Sequence, residues 1–157
     1  MDRVYLMQRG YVMKEEKSTA MQHIADVMNR HPVIVSPDAD LSEVLDLFEG
    51  RQVDGAAVVD ADDKLLGFIS PQDCLHSLLQ SSFYCGEMPR VKEVMSASFA
   101  SVAPTESLLA LAQAMEKSAV TTYLVIDRHK VVGSISRAEV IQLLRKELGD
   151  CSRAAHA

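Results

Sequence analysis

The chain has 157 residues, 48 % of them hydrophobic and 24 % charged, enough apolar material for one ordinary core or two small ones. A net charge of −6 and the lack of tryptophan exclude general nucleic-acid binding, which sets Lys and Arg against phosphate and aromatic rings against bases. No apolar run approaches the roughly 18–20 residues of a membrane span, and the N-terminus carries no apolar signal core, so no membrane contact is expected and the cytoplasm is the expected location.

Residues 1–18 form an N-terminal extension, in which apolar Val4, Leu6, Met7, Tyr11 and Val12 precede the charged run Lys14-Glu15-Glu16-Lys17. A first unit spans 19–80. Its Pro32-Val33-Ile34-Val35 predicts a short strand ended by Ser36-Pro37. Asp40, with Glu43 three residues on, predicts a helix start closed by a capping box. Leu41, Val44, Leu45, Leu47 and Phe48 fall mostly on one helical face, and Gly50 is expected to end the helix. The apolar runs 56–59 and 65–69 flank an acidic turn and predict a hairpin whose continuous apolarity implies that both faces are covered. Ser70 and Pro71 predict the cap and first turn of a further helix through Leu75, Leu78 and Leu79.

Residues 81–89 read as a linker, and a second unit at 90–148 repeats the plan. Its short strand is 99–102. Thr105 is expected to cap a helix carrying Leu108, Leu109, Leu111, Ala112 and Met115. Strands at 122–126 and 131–136 precede a helix from Arg137 to about Leu148, and the tail at 149–157 is expected to fray.

The two units are copies. Val27-Met28, Pro37, Leu41, Val58 and Asp60 recur 67 positions on as Val94-Met95, Pro104, Leu108, Val125 and Asp127. The spacing falls to 66 across the hairpin tips, where a deletion loses few contacts, so Gly67, Ser70 and Asp73 recur as Gly133, Ser136 and Glu139. A unit of about 55–60 residues is marginal alone. The expected fold is therefore α+β, two βαββα repeats packed through their sheets about a pseudo-twofold axis, with two clefts between them.

These residues resemble the CBS-domain pair, named from cystathionine β-synthase. The resemblance rests on Asp26-Val27-Met28, Pro37 with Leu41, Val58-Val59-Asp60 and Gly67-Phe68-Ile69-Ser70-Pro71-Gln72-Asp73. The second copy supplies Glu93-Val94-Met95, Pro104 with Leu108, Val125-Ile126-Asp127 and Gly133-Ser134-Ile135-Ser136-Arg137-Ala138-Glu139. It covers about residues 19–148. The resemblance implies a regulatory, non-enzymatic module with no required cofactor. Its effector would be adenosine, AMP, ADP, ATP or S-adenosylmethionine, bound between the repeats, and the change would pass to a partner protein. A hydroxyl at a helix N-terminus favours phosphate, and a carboxylate one turn on accepts ribose hydroxyls. By the resemblance, one cleft joins Ser70 and Asp73 to Ala100, Thr121 and Thr122, and the other joins Ser136, Arg137 and Glu139 to Met28, Val33, Asp54 and Gly55. A homodimer through the repeat helices is implied as well.

Departures from the family pattern shape the expectation. Asp54-Gly55 and Thr121-Thr122 stand where family members often place His or Arg to meet phosphates, and Glu139 replaces Asp. Arg137, Arg30 and His31 offset the acidic charge only if they point inward. The Asp73 cleft is therefore favoured, with AMP or adenosine over ATP. The alternative is a ligand-free dimerisation scaffold, in which Ser70 and Asp73 are simple helix caps. Cys74-Leu75-His76, with Cys85 nearby, lacks the converging spacing of a metal site. Three cysteines (Cys74, Cys85 and Cys151) at unpatterned spacing suit a reducing compartment, and a redox role for Cys74 or Cys85 is the weakest alternative.

Overall fold

Each half of the molecule completes its core with a helix from the other half. The computed structural model describes residues 22–51, 53–84 and 86–156, so the N-terminal extension 1–18 and Cys85 lie outside the described residues. The elements run α1 (Ile24–Val27), β1 (Ile34–Val35), α2 (Leu41–Arg51), β2 (Ala56–Val59), β3 (Leu65–Ile69) and α3 (Pro71–Tyr84). The second set is α4 (Val91–Val94), β4 (Ser101–Val102), α5 (Leu108–Glu116), β5 (Thr122–Asp127), β6 (Lys130–Ser136) and α6 (Arg137–Ala155). Two three-stranded sheets result, ordered β1-β2-β3 and β4-β5-β6, each with a parallel and an antiparallel pairing.

The two short helices are exchanged. Val91 of α4 is fully buried in a core with Leu41, Val44, Val58 and Ile69 of the first repeat. Ile24 of α1 is fully buried with Leu108, Leu111, Val125 and Ile135 of the second. Burying each such side chain stabilises by about 1.5–3 kcal/mol. Backbone hydrogen bonds fix the exchange in matching pairs. Val91 N–H donates to Ala39 O (3.0 Å) and Lys92 N–H to Pro37 O (2.9 Å), while Ile24 N–H donates to Glu106 O and Ala25 N–H to Pro104 O (both 2.9 Å). In return, Leu41 N–H, free at its helix start, donates to Pro89 O, and Leu108 N–H donates to Gln22 O (both 3.0 Å). The repeated Pro-x-x-x-Leu spacing thus marks where the other repeat's chain docks.

Asp26 and Glu93 of the repeated triplets accept the backbone N–H of His23 (3.1 Å) and Arg90 (2.8 Å), closing the first turns of α1 and α4. The chain leaving each exchanged helix then pairs with the other repeat's sheet. Ser96 and Phe68 exchange hydrogen bonds at 2.8 and 2.9 Å, as do Asn29 and Ser134 at 2.9 and 3.0 Å. Gly67 and Gly133 make this approach possible. A Cβ on Gly67 would stand 2.5 Å from Ser96 O, and one on Gly133 2.7 Å from Asn29 O.

Several local expectations are corrected. Gly50 does not end its helix, because α2 continues to Arg51. Asp40 does not form a capping box with Glu43; its carboxylate accepts Ser42 N–H at 2.8 Å instead. Thr105 is not the cap of α5. Ser107, the counterpart of Asp40, has extended backbone and accepts Ala110 N–H at 3.2 Å. The segment expected to link the units begins as helix, since α3 runs to Tyr84. The tail 149–157 is helical to Ala155 rather than frayed. No helix among the described residues is long and apolar enough to cross a membrane.

Candidate functional site

Strand alternation places alternate side chains of β2 and β5 on opposite faces. Val58 and Val125 enter the two cores. Their neighbours Ala57 and Leu124 are equally buried but belong to neither core. Both instead line a cleft of about 120 Å³ between the repeats. The first repeat contributes Val33 before β1, Asp54 and Gly55 before β2, and Phe68 of β3. The second contributes Thr122 at the start of β5, Ser134 and Ser136 at the end of β6, and Glu139 in the first turn of α6.

The structure brings together Val33, Asp54, Gly55, Ser136 and Glu139 in this lining. Met28 stands one space further on, in an open groove of about 640 Å³ that shares Asn29 and Glu139 with the cleft. Thr122 also lines this cleft, beside Glu139. Ser70, Asp73, Ala100 and Thr121 are not part of that lining. Gly55, with φ of 159°, lies so close to Phe68 that a Cβ would reach 2.3 Å from its ring, so this ring packs as a wall against bare backbone.

Both Ser-x-x-Asp/Glu motifs are helix caps, with different geometry. Asp73 Oδ2 accepts both Ser70 N–H at 2.9 Å and Ser70 Oγ–H at 2.8 Å, so the serine hydroxyl proton is used within the pair while Asp73 Oδ1 is not engaged among the described residues. Asp73 N–H donates back to Ser70 Oγ at 3.2 Å. Glu139 Oε2 accepts only the N–H of Ser136, at 2.7 Å, and Glu139 N–H donates to Ser136 Oγ at 3.2 Å. The hydroxyl proton of Ser136 and the second oxygen of Glu139 are not engaged among the described residues, and both residues border the cleft.

Among the described residues, no Lys or Arg lines the cleft. Arg137 turns away, its Nη2 donating to Met115 O (3.3 Å) in the last turn of α5 and to Ser118 O (2.7 Å) and Val120 O (2.9 Å) just beyond it. Arg30 Nη2 donates to Ala25 O at 2.8 Å. His31 is held through its backbone by Asn29 and does not line the cleft. Lys146 lines the adjoining groove, about 10 Å along α6 from Glu139 at 1.5 Å per residue.

Cys74, in the first turn of α3, is buried in the first repeat's core. Burial first, and the neighbouring Asp73 charge second, push its thiol up from the ordinary 9.0. A reactive thiol needs the opposite shift. No cluster of three or more His, Cys, Asp or Glu side chains among the described residues could hold a metal ion.

The sequence reasoning missed Asn29, Pro32, Val53, Ala57, Phe68, Leu124 and Ser134 in the cleft, and Val27, Ala138, Gln142, Leu143 and Lys146 in the groove. The strand pairs were recoverable. Ala57 and Leu124 are related by the repeat, and the two-faced apolarity of their strands signals a second buried face. The groove residues follow Glu139 at helical spacing but carry no signal until α1 docks beside them.

Comparison with known proteins agrees with this architecture. The family model described as CBS domain matches residues 24–80 and 91–146. Protein MJ1232 of Methanocaldococcus jannaschii is 29 % identical over 122 residues, which are 77 % of this chain and 39 % of that protein. Among solved structures, a protein from Vibrio cholerae assigned to acetoin utilization (AcuB) superimposes with a TM-score of 0.74 and 29 % identity, covering 85 % of this chain and 97 % of that one. The CBS domain pair of protein MJ0100, in complex with 5-methylthioadenosine and S-adenosyl-L-methionine, gives 0.71 at 19 % identity, covering 80 % and 98 % of the two chains. CBSX2 in complex with AMP gives 0.68 at 22 %, covering 79 % and 96 %.

Proposed function

The chain belongs to the CBS-domain family, and from that premise we propose that it is a regulatory module binding an adenosine-type ligand between its repeats. The carrying observation is the cleft at Ser136 and Glu139, walled by Val33, Asp54 and Gly55 of the other repeat. Its enclosed part is smaller than the roughly 300–1,000 Å³ usual for ligand pockets, but it continues into the groove beside Met28 and Lys146. On this reading the base packs against Val33, Ala57 and Leu124, and the free oxygen of Glu139 accepts ribose hydroxyls. Related structures that hold AMP, or S-adenosylmethionine with methylthioadenosine, support this ligand class.

Charge selects within the class. Asp54 and Glu139 stand at the cleft, Arg30 and Arg137 are committed to carbonyl oxygens, and Lys146 is the groove's one cation among the described residues. Like charges repel by about 1 kcal/mol at 4 Å even in water. Adenosine, AMP and S-adenosylmethionine are thus favoured over ATP. Calorimetry with these four compounds tests the reading, using protein freed of copurified nucleotide. Adenosine is expected to bind, ATP to bind at least about tenfold more weakly, and Asp54→Asn to narrow that gap. No binding of any of the four overturns it.

A second role rests on a separate observation. Leu75 and Leu79 of α3, and Ile141 and Leu148 of α6, are more than half exposed, and Leu75 and Ile141 are counterparts in the two repeats. We infer that a second copy packs on these helices and that a ligand-induced shift passes through them to a regulated partner. Light scattering of wild type and of Leu79→Glu/Leu148→Glu checks this. A wild-type monomer at micromolar concentration refutes the dimer.

A further inference from the structure

The open groove beside the cleft is apolar where the related surface of the other repeat is polar. Val27 and Met28, where the chain leaves α1, form one side, and Ala138, Gln142, Leu143 and Lys146 of α6 form the other. Val27, Met28 and Leu143 are only partly buried against the second core, which leaves apolar surface facing the groove. The fold does not require that surface. In the first repeat the positions related to the four α6 residues are Gln72, His76, Ser77 and Gln80. The approaching chains differ as well. A short connection from α3 leads into α4, whereas α1 is preceded by residues 1–21, which lie outside the described residues and carry apolar Val4, Leu6, Met7, Tyr11 and Val12. Gln22, where the described chain begins, is held beside α5 by its carbonyl, which accepts Leu108 N–H at 3.0 Å. From Gln22 to Val27 is at most about 17 Å of chain. Tyr11 is tethered to Gln22 by a stretch that spans about 16 Å at helical rise and about 36 Å extended, so the groove is within its reach.

From these observations we propose that the segment around Tyr11 and Val12 docks in this groove as an intramolecular strap. Apolar side chains on one partner meet an apolar surface on the other, and both leave water. Charge agrees with the pairing. The groove carries Glu139 toward one end and Lys146 toward the other, and the segment sets Arg9 before its apolar pair and Glu15-Glu16 after it. The tether favours this occupant over a separate peptide, because a short linker supplies an effective concentration of about a millimolar. Groove and cleft share Asn29 and Glu139, so a docked strap lies across the mouth of the cleft and competes with whatever enters it. That competition rests on the adenosine-type reading given above; the docking does not.

Trypsin reads the docking in the full chain, through cleavage after Arg9 and Lys14 without ligand. Wild type is compared with Tyr11→Ser/Val12→Ser and with Ala138→Gln/Leu143→Ser, which puts the first repeat's residues into the groove. Ala138→Gln alone, at an exposed position, serves if the groove double variant does not fold. An intrinsic affinity of about 0.1 mM would keep the strap docked about nine-tenths of the time, so both kinds of variant should be cleaved about tenfold faster than wild type. Equal rates in wild type and the segment variant overturn the proposal. So does faster cleavage of the segment variant alone, because the segment would then dock elsewhere. Protection that appears only as protein concentration rises also overturns it, since a second copy would then be the occupant. Calorimetry with adenosine reads the competition, and Tyr11→Ser/Val12→Ser should bind about tenfold more tightly than wild type. Equal affinity overturns the competition. If neither protein binds adenosine while trypsin still shows protection, the ligand reading falls and the strap stands.

Discussion

Ser70 with Asp73 and Ser136 with Glu139 hold the same place in the two repeats, and one methylene group separates their behaviour. The shorter aspartate folds back on its serine and takes both the backbone N–H and the hydroxyl proton on one oxygen. The longer glutamate takes only the backbone N–H, and the hydroxyl proton stays free beside a cleft. Asp73 sits half-buried over Cys74, whereas Glu139 is exposed where cleft and groove meet. A motif shared by two repeats is a structural cap in both. Whether it is also available to a ligand depends on how completely its own hydrogen bonds close it.

The largest expected effect tests whether the two repeats are one folding unit. Ile24→Ala should destabilise the protein by about 2–5 kcal/mol. Hydrogen exchange should show the lost protection in α5, β5 and β6, although residue 24 belongs by sequence to the first repeat. Val91→Ala should act in mirror fashion on α2, β2 and β3. Loss confined to each residue's own repeat would break the exchanged-helix comparison.

A smaller effect is expected from trading the two carboxylates. Glu139→Asp should let the side chain close on Ser136 as Asp73 closes on Ser70, and weaken adenosine binding about tenfold or more while the protein stays folded. Asp73→Glu should leave adenosine binding within about twofold. Calorimetry on both variants decides, and an opposite ranking would move the ligand to the Asp73 side.

The smallest effect sharpens the comparison of α3 with α6, where Cys74 and Val140 are counterparts and both are buried. Cys74→Val should change stability by less than about 1.5 kcal/mol at neutral pH. The folded state holds the Cys74 thiol protonated above its ordinary 9.0, so this contribution is whole below pH 9 and is lost as pH climbs through the raised value. Melting curves from pH 7 to 10.5 should therefore fall more steeply for wild type than for Cys74→Val.

Much of this molecule was legible in its residues. The hairpins and the helices after Ser70 and Ser136 follow from short-range patterns of apolar spacing, caps and turns, which act within a few residues. The repeat itself, with its one-residue deletion at the hairpin tip, needed only self-comparison. Local caps were harder. Thr105 reads as well as Ser107 until the Gln22 carbonyl arrives to receive Leu108 N–H and sets where α5 begins.

Sequence by itself determined the family, the two-sheet α+β plan and the pair of carboxylates that a ligand could meet. Tertiary structure alone decided that α1 and α4 trade places, that Gly67 and Gly133 admit the crossing chains, and that Thr122 joins Glu139 at the cleft. The physical reason is range. Propensity and periodicity act over a turn or a strand. The exchange depends on burying Ile24 and Val91 in cores built from residues far along the chain, and the free serine hydroxyl depends on a single methylene judged against its neighbours in space. Asp73 and Glu139, nearly equivalent as letters, differ in the fold because Asp73 takes up its serine's hydroxyl proton and Glu139 leaves it free at the cleft.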